Sequence, residues 1–375
     1  MNEVCITDTQ TVTGLGTGLD VLFNGMMAGT SAVAPVQRFG TARYISPNAC
    51  CVPGLTTGED SLLYPLLGHL MDGFSAVPAD CRLLLASTKG PVDLMERLQR
   101  GEAVDPAELA MERVLSRVGQ RCGTSGPALN VNAACASSTL ALARAAQMIA
   151  LGRCEAALVV CLDLVSEFVF SGFSALQALS PTRCRPFDKN RDGLTLGEGG
   201  AALLLMSRER ARREGRPVLG VIAGWGAAND ATHITAPARD ACGLIQTVRQ
   251  ALARAGLSAD AIAAVSAHGT ATPYNDQMEL TALRALFPGR TLPVHSVKGA
   301  IGHTLGAAGG IEAALGLKCL DAGILPPTVG LIEPDPEGVG LVSNAAQDIG
   351  GDYLLSTNSG FGGVNAAVIL GRGDA

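Results

Sequence analysis

Apolar residues in this chain gather in short dense runs, and longer stretches between them repeat their apolar positions at helical spacing. The runs Arg82–Ser87, Ala128–Ala133, Ala156–Leu162, Gly200–Ser207, Val218–Trp225, Ile262–Ala267, Leu292–Val297, Tyr353–Thr357 and Ala366–Leu370 predict strands. Ser137–Leu151, Gly243–Ala255, Asp276–Phe287 and His303–Ala322 predict helices. Strands alternating with helices in this way imply an α/β fold, with parallel sheet covered by helices on both faces. The segment from Gly18 to Pro78 is rich in Gly, Pro and Ala and has no clean period, so a cap or an interface insertion is expected there. Residues 131–159 and 297–325 share a plan: a strand end, a turn and an Ala/Gly-rich helix that stops near a glycine. Cys135 opens the helix in one copy and His303 opens it in the other. Either a duplication or the ordinary likeness of two Ala-rich βα units accounts for this; a duplicated architecture would divide near residue 215, into units 1–215 and 216–375.

Composition sharpens this picture. Among 375 residues there are 46 glycines, 4% aromatics and only 17% charged residues, which suits close-packed helices and strands and argues against disorder. A net charge of −6 gives no general attraction to nucleic acid or anionic membrane, so an acidic partner must find a local basic patch. The start of the chain lacks the basic and apolar pattern of a signal peptide, and Arg144 and Gln147 interrupt the Ala/Leu-rich stretch from Thr139. A soluble, cytosolic protein is expected. The 11 cysteines include no Cys-x-x-Cys, so neither a metal site nor a disulfide scaffold is expected, and most read as small core residues.

Cys135 lies in Asn-Ala-Ala-Cys-Ala-Ser-Ser, where an apolar run meets a small-residue helix. A helix N-terminus lowers a thiol pKa through its free N–H groups, and the thiolate is the form that exchanges thioesters. His268 follows in Ala-His-Gly-Thr-Ala-Thr, and Lys298 and His303 in Ser-Val-Lys-Gly-Ala-Ile-Gly-His. Both histidines sit beside a glycine, Gly269 and Gly302, which lets a substrate approach the backbone. Two neutral imidazoles donating to one carbonyl oxygen would stabilise an enolate. Gly360-Phe361-Gly362-Gly363 is a glycine cluster without the Lys-Ser/Thr that a nucleotide loop needs.

Taken in order, these four motifs resemble those of the β-ketoacyl-acyl carrier protein synthases, elongating ketosynthases of the thiolase superfamily. The resemblance implies a thiolase-like fold of two βα halves in α-β-α-β-α layers. It implies decarboxylative Claisen condensation of malonyl-acyl carrier protein with an acyl chain on Cys135, giving a 3-oxoacyl chain. The enzyme would be a dimer with itself or with a chain-length-factor-like homologue. No cofactor of its own is implied, because the phosphopantetheine belongs to the acyl carrier protein. Cys135 becomes the nucleophile and His268, His303 and Lys298 its catalytic companions, with Glu312 holding the lysine and an ordered water. Phe361 would gate the acyl pocket, its N–H pairing with that of Cys135 as oxyanion hole, while Gly360, Gly362, Thr270 and Thr272 face substrate. Asp276 and Glu279 match acidic positions after the first histidine and read as supports. Arg183, Lys189 and Arg191 form the best basic patch for the carrier protein, against the reading of a salt-bridged loop. Ser359 stands where fatty-acid members carry a second Phe and, with a short region before Cys135, leans toward a type II polyketide or polyene pathway. A non-catalytic chain-length-factor-like subunit and a biosynthetic thiolase stay open as alternatives. Against the thiolase, Cys319 is the last cysteine and lies within a predicted helix.

Overall fold

A computed structural model describes residues 2–373. Its main sheet is built on β1 (Val4–Thr13), β2 (Arg82–Ala86), β3 (Ala128–Asn130), β4 (Ala156–Asp163), β5 (Gly199–Ser207), β6 (Gly220–Asn229), β7 (Ile262–Ser266), β8 (Val294–His295), β9 (Tyr353–Gly360) and β10 (Val364–Gly371). Hydrogen bonds order these strands β8-β7-β9-β10-β6-β1-β5-β4-β2-β3. In each run of five, the second strand pairs in parallel with the third and fourth, and the fifth pairs antiparallel with the fourth and first. Strands β1–β5 and β6–β10 therefore trace the same path twice, and they join where β1 pairs with β6 at Cys5↔Val221 and Ile6↔Gly220.

The helices used below are α1 (Leu19–Met27), α2 (Leu63–Met71), α3 (Met111–Cys122), α4 (Ser137–Ala150), α5 (Glu167–Ala175), α6 (Cys242–Ala255), α7 (Pro273–Leu286) and α8 (Ala308–Ala322). Helices α4 and α8 touch each other and strands of both runs, so they form the middle layer. Ala and Gly dominate both helices because a helix walled in on every side has room only for short side chains. Outside the first run lie α2 and α3, and outside the second α6 and α7, which completes the expected α-β-α-β-α stack.

Several expectations are corrected. The sheet is mixed rather than parallel, because only Phe361, Gly362 and Gly363 separate β9 from β10, too short a link for a crossover. Strand β1 was not anticipated: Thr7–Gln10 are polar, and its register shifts between Ile6 and Asp8. Between Gly18 and Pro78 the chain forms α1 and α2, with two short strands that pair in one patch with Leu196–Gly197. Glu198 anchors this region from inside, accepting a two-pronged bond from Arg38 and backbone N–H groups of Val52 and Val165. Helix α8 begins at Ala308, after a 3₁₀ turn at Leu305–Ala307, which leaves His303 ahead of the helix, in a bridge to Leu196. Among the described residues no helix is long and apolar enough to cross a membrane.

Leu315 is fully buried on α8 in the layer both halves share. Leu315→Ala is expected to lower stability by about 2–5 kcal/mol in urea unfolding, because the walls of the cavity belong to strands and helices of both runs and cannot collapse.

Candidate active site

Two strained turns bring the chemistry together. After β3 the chain leaves the sheet, and Ala134 adopts a left-handed φ of 49° immediately before Cys135. The Ser137 hydroxyl locks that turn, accepting from Ala133 N at 2.9 Å and donating to Ala134 O at 2.6 Å. In the second half Leu305 takes a φ of 53° two residues after His303, and its N–H donates to His303 Nδ1 at 3.3 Å. Left-handed φ at a residue with a β-carbon is costly and persists where the surroundings over-determine it. The result is a contact of 3.1 Å between His303 Nε2 and Cys135 Sγ.

His268 completes the group, its ring edge-on to His303 with centroids 5.1 Å apart. Backbone N–H groups of His268 and Gly269 donate to Glu279 at 2.7 and 2.6 Å, which pins the turn below the ring. Asn358 Nδ2 donates to His268 Nδ1 at 3.0 Å. Both histidines therefore receive a donor at Nδ1, carry their hydrogen on Nε2 and present N–H groups toward the thiol. Burial, helped by the Lys298 charge, pushes both imidazoles well below the ordinary histidine value, so they stay neutral. One ligand atom from each of Cys135, His268 and His303 lies within 4.8 Å of the others, a spacing that could also close on a metal ion. The tautomers argue against that use, since a protonated Nε2 has no lone pair to give.

Lys298 lies behind the ring of His268 rather than on the wall of the site. Its ammonium donates to His268 O and, at 2.6 Å, to Glu312 Oε1, and both side chains are buried. Burial pushes the Cys135 thiol up to about 11, with the Lys298 charge pulling the other way. The low thiol pKa expected from the helix N-terminus is thus outweighed by desolvation.

Cys135, His268 and His303 line one cavity of about 390 Å³. Phe361 also lines it and stacks on Phe173 of α5 with centroids 5.7 Å apart. Comparison with known proteins matches this architecture. The family model described as β-ketoacyl synthase, N-terminal domain, matches residues 92–211, and the C-terminal domain matches residues 219–331. The 3-oxoacyl-[acyl-carrier-protein] synthase 2 of Rhizobium meliloti (strain 1021) is 30% identical over 419 residues, covering 99% of each chain. This chain belongs to the β-ketoacyl synthase family. The namesake from Staphylococcus aureus (strain COL) is 35% identical over 262 residues, 68% of this chain, and the matched part spans 63% of that relative's length. A solved structure titled the ishigamide ketosynthase/chain length factor superimposes with a TM-score of 0.89 at 28% identity, covering 99% of each chain.

Thr270 and Thr272 line the cavity with their hydroxyls 2.9 Å apart. Gly360 lines it too, and a β-carbon there would fall 2.8 Å from Ala133 O and 3.1 Å from Cys135 N, so only glycine lets the terminal loop close on Cys135. Gly362 turns outward with a φ of 86° and donates to Ile234 O at 2.6 Å. Asp276 is fully buried and accepts from the backbones of Phe187 and Ala271, a support for the turn carrying Thr270. Burial and neighbouring Asp276 push the Glu279 carboxyl up to about 8.

The basic patch is smaller than expected. Arg191 turns inward, its side chain 7% exposed and paired with Asp335 at 2.7 Å, so it is not available for docking. Lys189 is exposed but paired with Glu333, while Arg183 is exposed beside Arg185 and Ile332 in an open groove. Sequence reasoning missed Asn358, Thr139, Phe173 and Asp163. Asp163 accepts from Thr88 and from Gly306 N at 2.7 Å, next to the strained Leu305. The closeness of Asn358 to the Gly-Phe-Gly-Gly cluster was the one available signal.

With the thiol pushed up to about 11, alkylation of Cys135 by iodoacetamide is expected to climb about tenfold per unit from about pH 6 to pH 9. A plateau below about pH 8 would contradict the burial argument.

Proposed function

We propose that this chain is a carrier-protein-dependent ketosynthase catalysing decarboxylative Claisen condensation. The observation that carries the reading is the convergence of one thiol and two N–H-presenting imidazoles in a single cavity. In the first half-reaction the Cys135 thiolate attacks the thioester carbonyl of an acyl-carrier protein, and the phosphopantetheine thiolate leaves and takes up a proton. His303 Nε2–H steadies the sulfur anion before attack. In the second, a malonyl-carrier protein enters and its thioester oxygen accepts from Nε2–H of His268 and His303. The bond to the carboxylate breaks, carbon dioxide departs and its electron pair enters the enolate. The enolate carbon then attacks the Cys135 thioester, and the thiolate is released as the 3-oxoacyl chain leaves on the carrier protein. Neutral imidazoles suit this step, since they donate without protonating the carbanion.

Lys298 and Glu312 are assigned a positioning role in this scheme, Phe361 with Phe173 a gate, and Thr270 and Thr272 the grip on the pantetheine arm. Exposed Arg183 and Lys189 are the proposed carrier-protein contacts. The phosphopantetheine is carried by that partner, and the reaction is proposed to run in the cytoplasm. The edge strand β3 leaves Leu129, six residues before Cys135, half exposed, which supports assembly with a second copy or a chain-length-factor-like homologue. Division into units 1–215 and 216–375 belongs to the same proposal and is supported by the repeated strand order. Ser359, whose hydroxyl donates to Asn365 Oδ1 at 2.7 Å, puts a polar group on the cavity wall and favours a type II polyketide or polyene chain over a saturated fatty acid.

Incubation with acyl-carrier and malonyl-carrier protein, followed by intact mass, tests the reading. Wild type is expected to gain one acyl group and release a 3-oxoacyl product, and Cys135→Ala to do neither. Wild type that stays unmodified in the presence of a partner subunit would favour the non-catalytic subunit instead.

A further inference from the structure

The Asn358 side chain, on β9, reaches both α4 and α8 behind His268. It is fully buried, and alternation along β9 turns it toward the middle layer, as for Leu354, while Leu355 joins the outer core. Its amide makes three contacts: Nδ2 donates to His268 Nδ1 at 3.0 Å and to Glu312 Oε2 at 2.8 Å, and Oδ1 accepts from the Thr139 hydroxyl.

The chemistry of the neighbours dictates which way the amide points. Burial raises the Glu312 carboxyl pKa and the Lys298 ammonium 2.6 Å from Oε1 opposes the rise, while the Thr139 hydroxyl occupies Asn358 Oδ1, so Oε2 faces the amide nitrogen and accepts from it. Both amide protons are consumed, one on Glu312 and one on His268, so His268 Nδ1 must offer its lone pair and Nε2 must hold the hydrogen. In His303 the same task falls to a backbone group, the N–H of Leu305. One histidine of the pair is therefore set by the main chain and the other by a replaceable side chain.

Packing shows that the junction is built for this contact. A β-carbon on Gly309 of α8 would lie 2.0 Å from Thr139 Oγ1 and 2.4 Å from Asn358 Oδ1. The two middle helices approach closely here because position 309 is glycine, and the space admits one amide and one hydroxyl.

We propose that Asn358 is a positioning residue that fixes His268 as an Nε2–H donor and couples that tautomer to the Lys298–Glu312 pair. The proposal rests on the reading of His268 as a donor to the enolate oxygen. It assigns Asn358 to the decarboxylation half-reaction and not to transfer of the acyl chain onto Cys135, which depends on His303 and the turn at Ala134. Asn358→Asp reverses the polarity: a carboxylate oxygen facing His268 draws a proton to Nδ1 and takes the neutral Nε2–H donor away.

Wild type, Asn358→Ala, Asn358→Ser and Asn358→Asp are compared by three measurements: mass-detected acylation of Cys135, carbon dioxide release from malonyl-carrier protein, and ¹⁵N shifts of the His268 ring. Decarboxylation is expected to fall about 10²–10³-fold in the Ala and Asp variants, the scale for losing one oxyanion donor. Acylation is expected to fall by less than about tenfold. The Ser variant, which keeps one donor, should lie between wild type and Ala. Wild-type ¹⁵N shifts should show an unprotonated Nδ1, and Asn358→Asp should show it protonated. Equal loss of both half-reactions, in proportion to a loss of folded protein, would reduce Asn358 to a structural role and overturn the proposal. A protonated Nδ1 in wild type would overturn it as well. If wild type itself neither acylates nor decarboxylates, the proposed function fails, and the ¹⁵N shifts still decide the tautomer.

Discussion

Lys298 and Glu312 are opposite charges buried in the same layer, 2.6 Å apart, where neither can reach water. Removing two ions from water costs several kcal/mol each, and their attraction offsets this only when the remaining donors and acceptors are also satisfied. That condition shapes the surroundings. The ammonium takes a second acceptor from His268 O, and the carboxylate takes a second donor from Asn358. Each of those partners is itself tied down, the His268 turn by Glu279 and the amide by Thr139. The ion pair is thereby tied to the His268 turn and to the orientation of the Asn358 amide at once.

The same pair acts electrostatically on the site in front of it. A positive charge held in a low-dielectric interior lowers the pKa of both imidazoles and opposes the burial that raises the Cys135 thiol. Histidines kept neutral in this way suit the proposed condensation, which needs N–H donors and no strong acid. The lysine does this without lining the cavity, which is why its role concerns field and position rather than contact.

Duplication explains how the parts reach one place. Each half carries a strained residue near the turn it brings to the cavity, Ala134 beside Cys135 and Leu305 beyond His303, and each turn leads into a middle-layer helix. Because α4 and α8 pack against each other, the two turns meet, and the 3.1 Å contact between Cys135 and His303 spans the halves. Neither half alone contains the site. The small side chains of both helices are the reason the approach is close enough.

Much of this could be read from the chain itself. Alternating strand and helix patterns, the echo between residues 131–159 and 297–325, and the motifs around Cys135, His268, Lys298, His303 and Phe361 depend on local periodicity and on residue types that only certain chemistry needs. These features are short-range, and a linear pattern records them. Strand β1 was hidden because its polar centre breaks the apolar signal, and the mixed sheet because pairing partners lie far apart in sequence. Arg191 looked like a docking contact until the fold buried it against Asp335, since a charge pattern says nothing about which way an arginine points. The same holds for Asn358 and Thr139, ordinary polar residues 219 positions apart that become one hydrogen bond. Burial, tautomer and pKa belong to the packed interior, because each depends on neighbours that come together only when the two halves close on the middle layer.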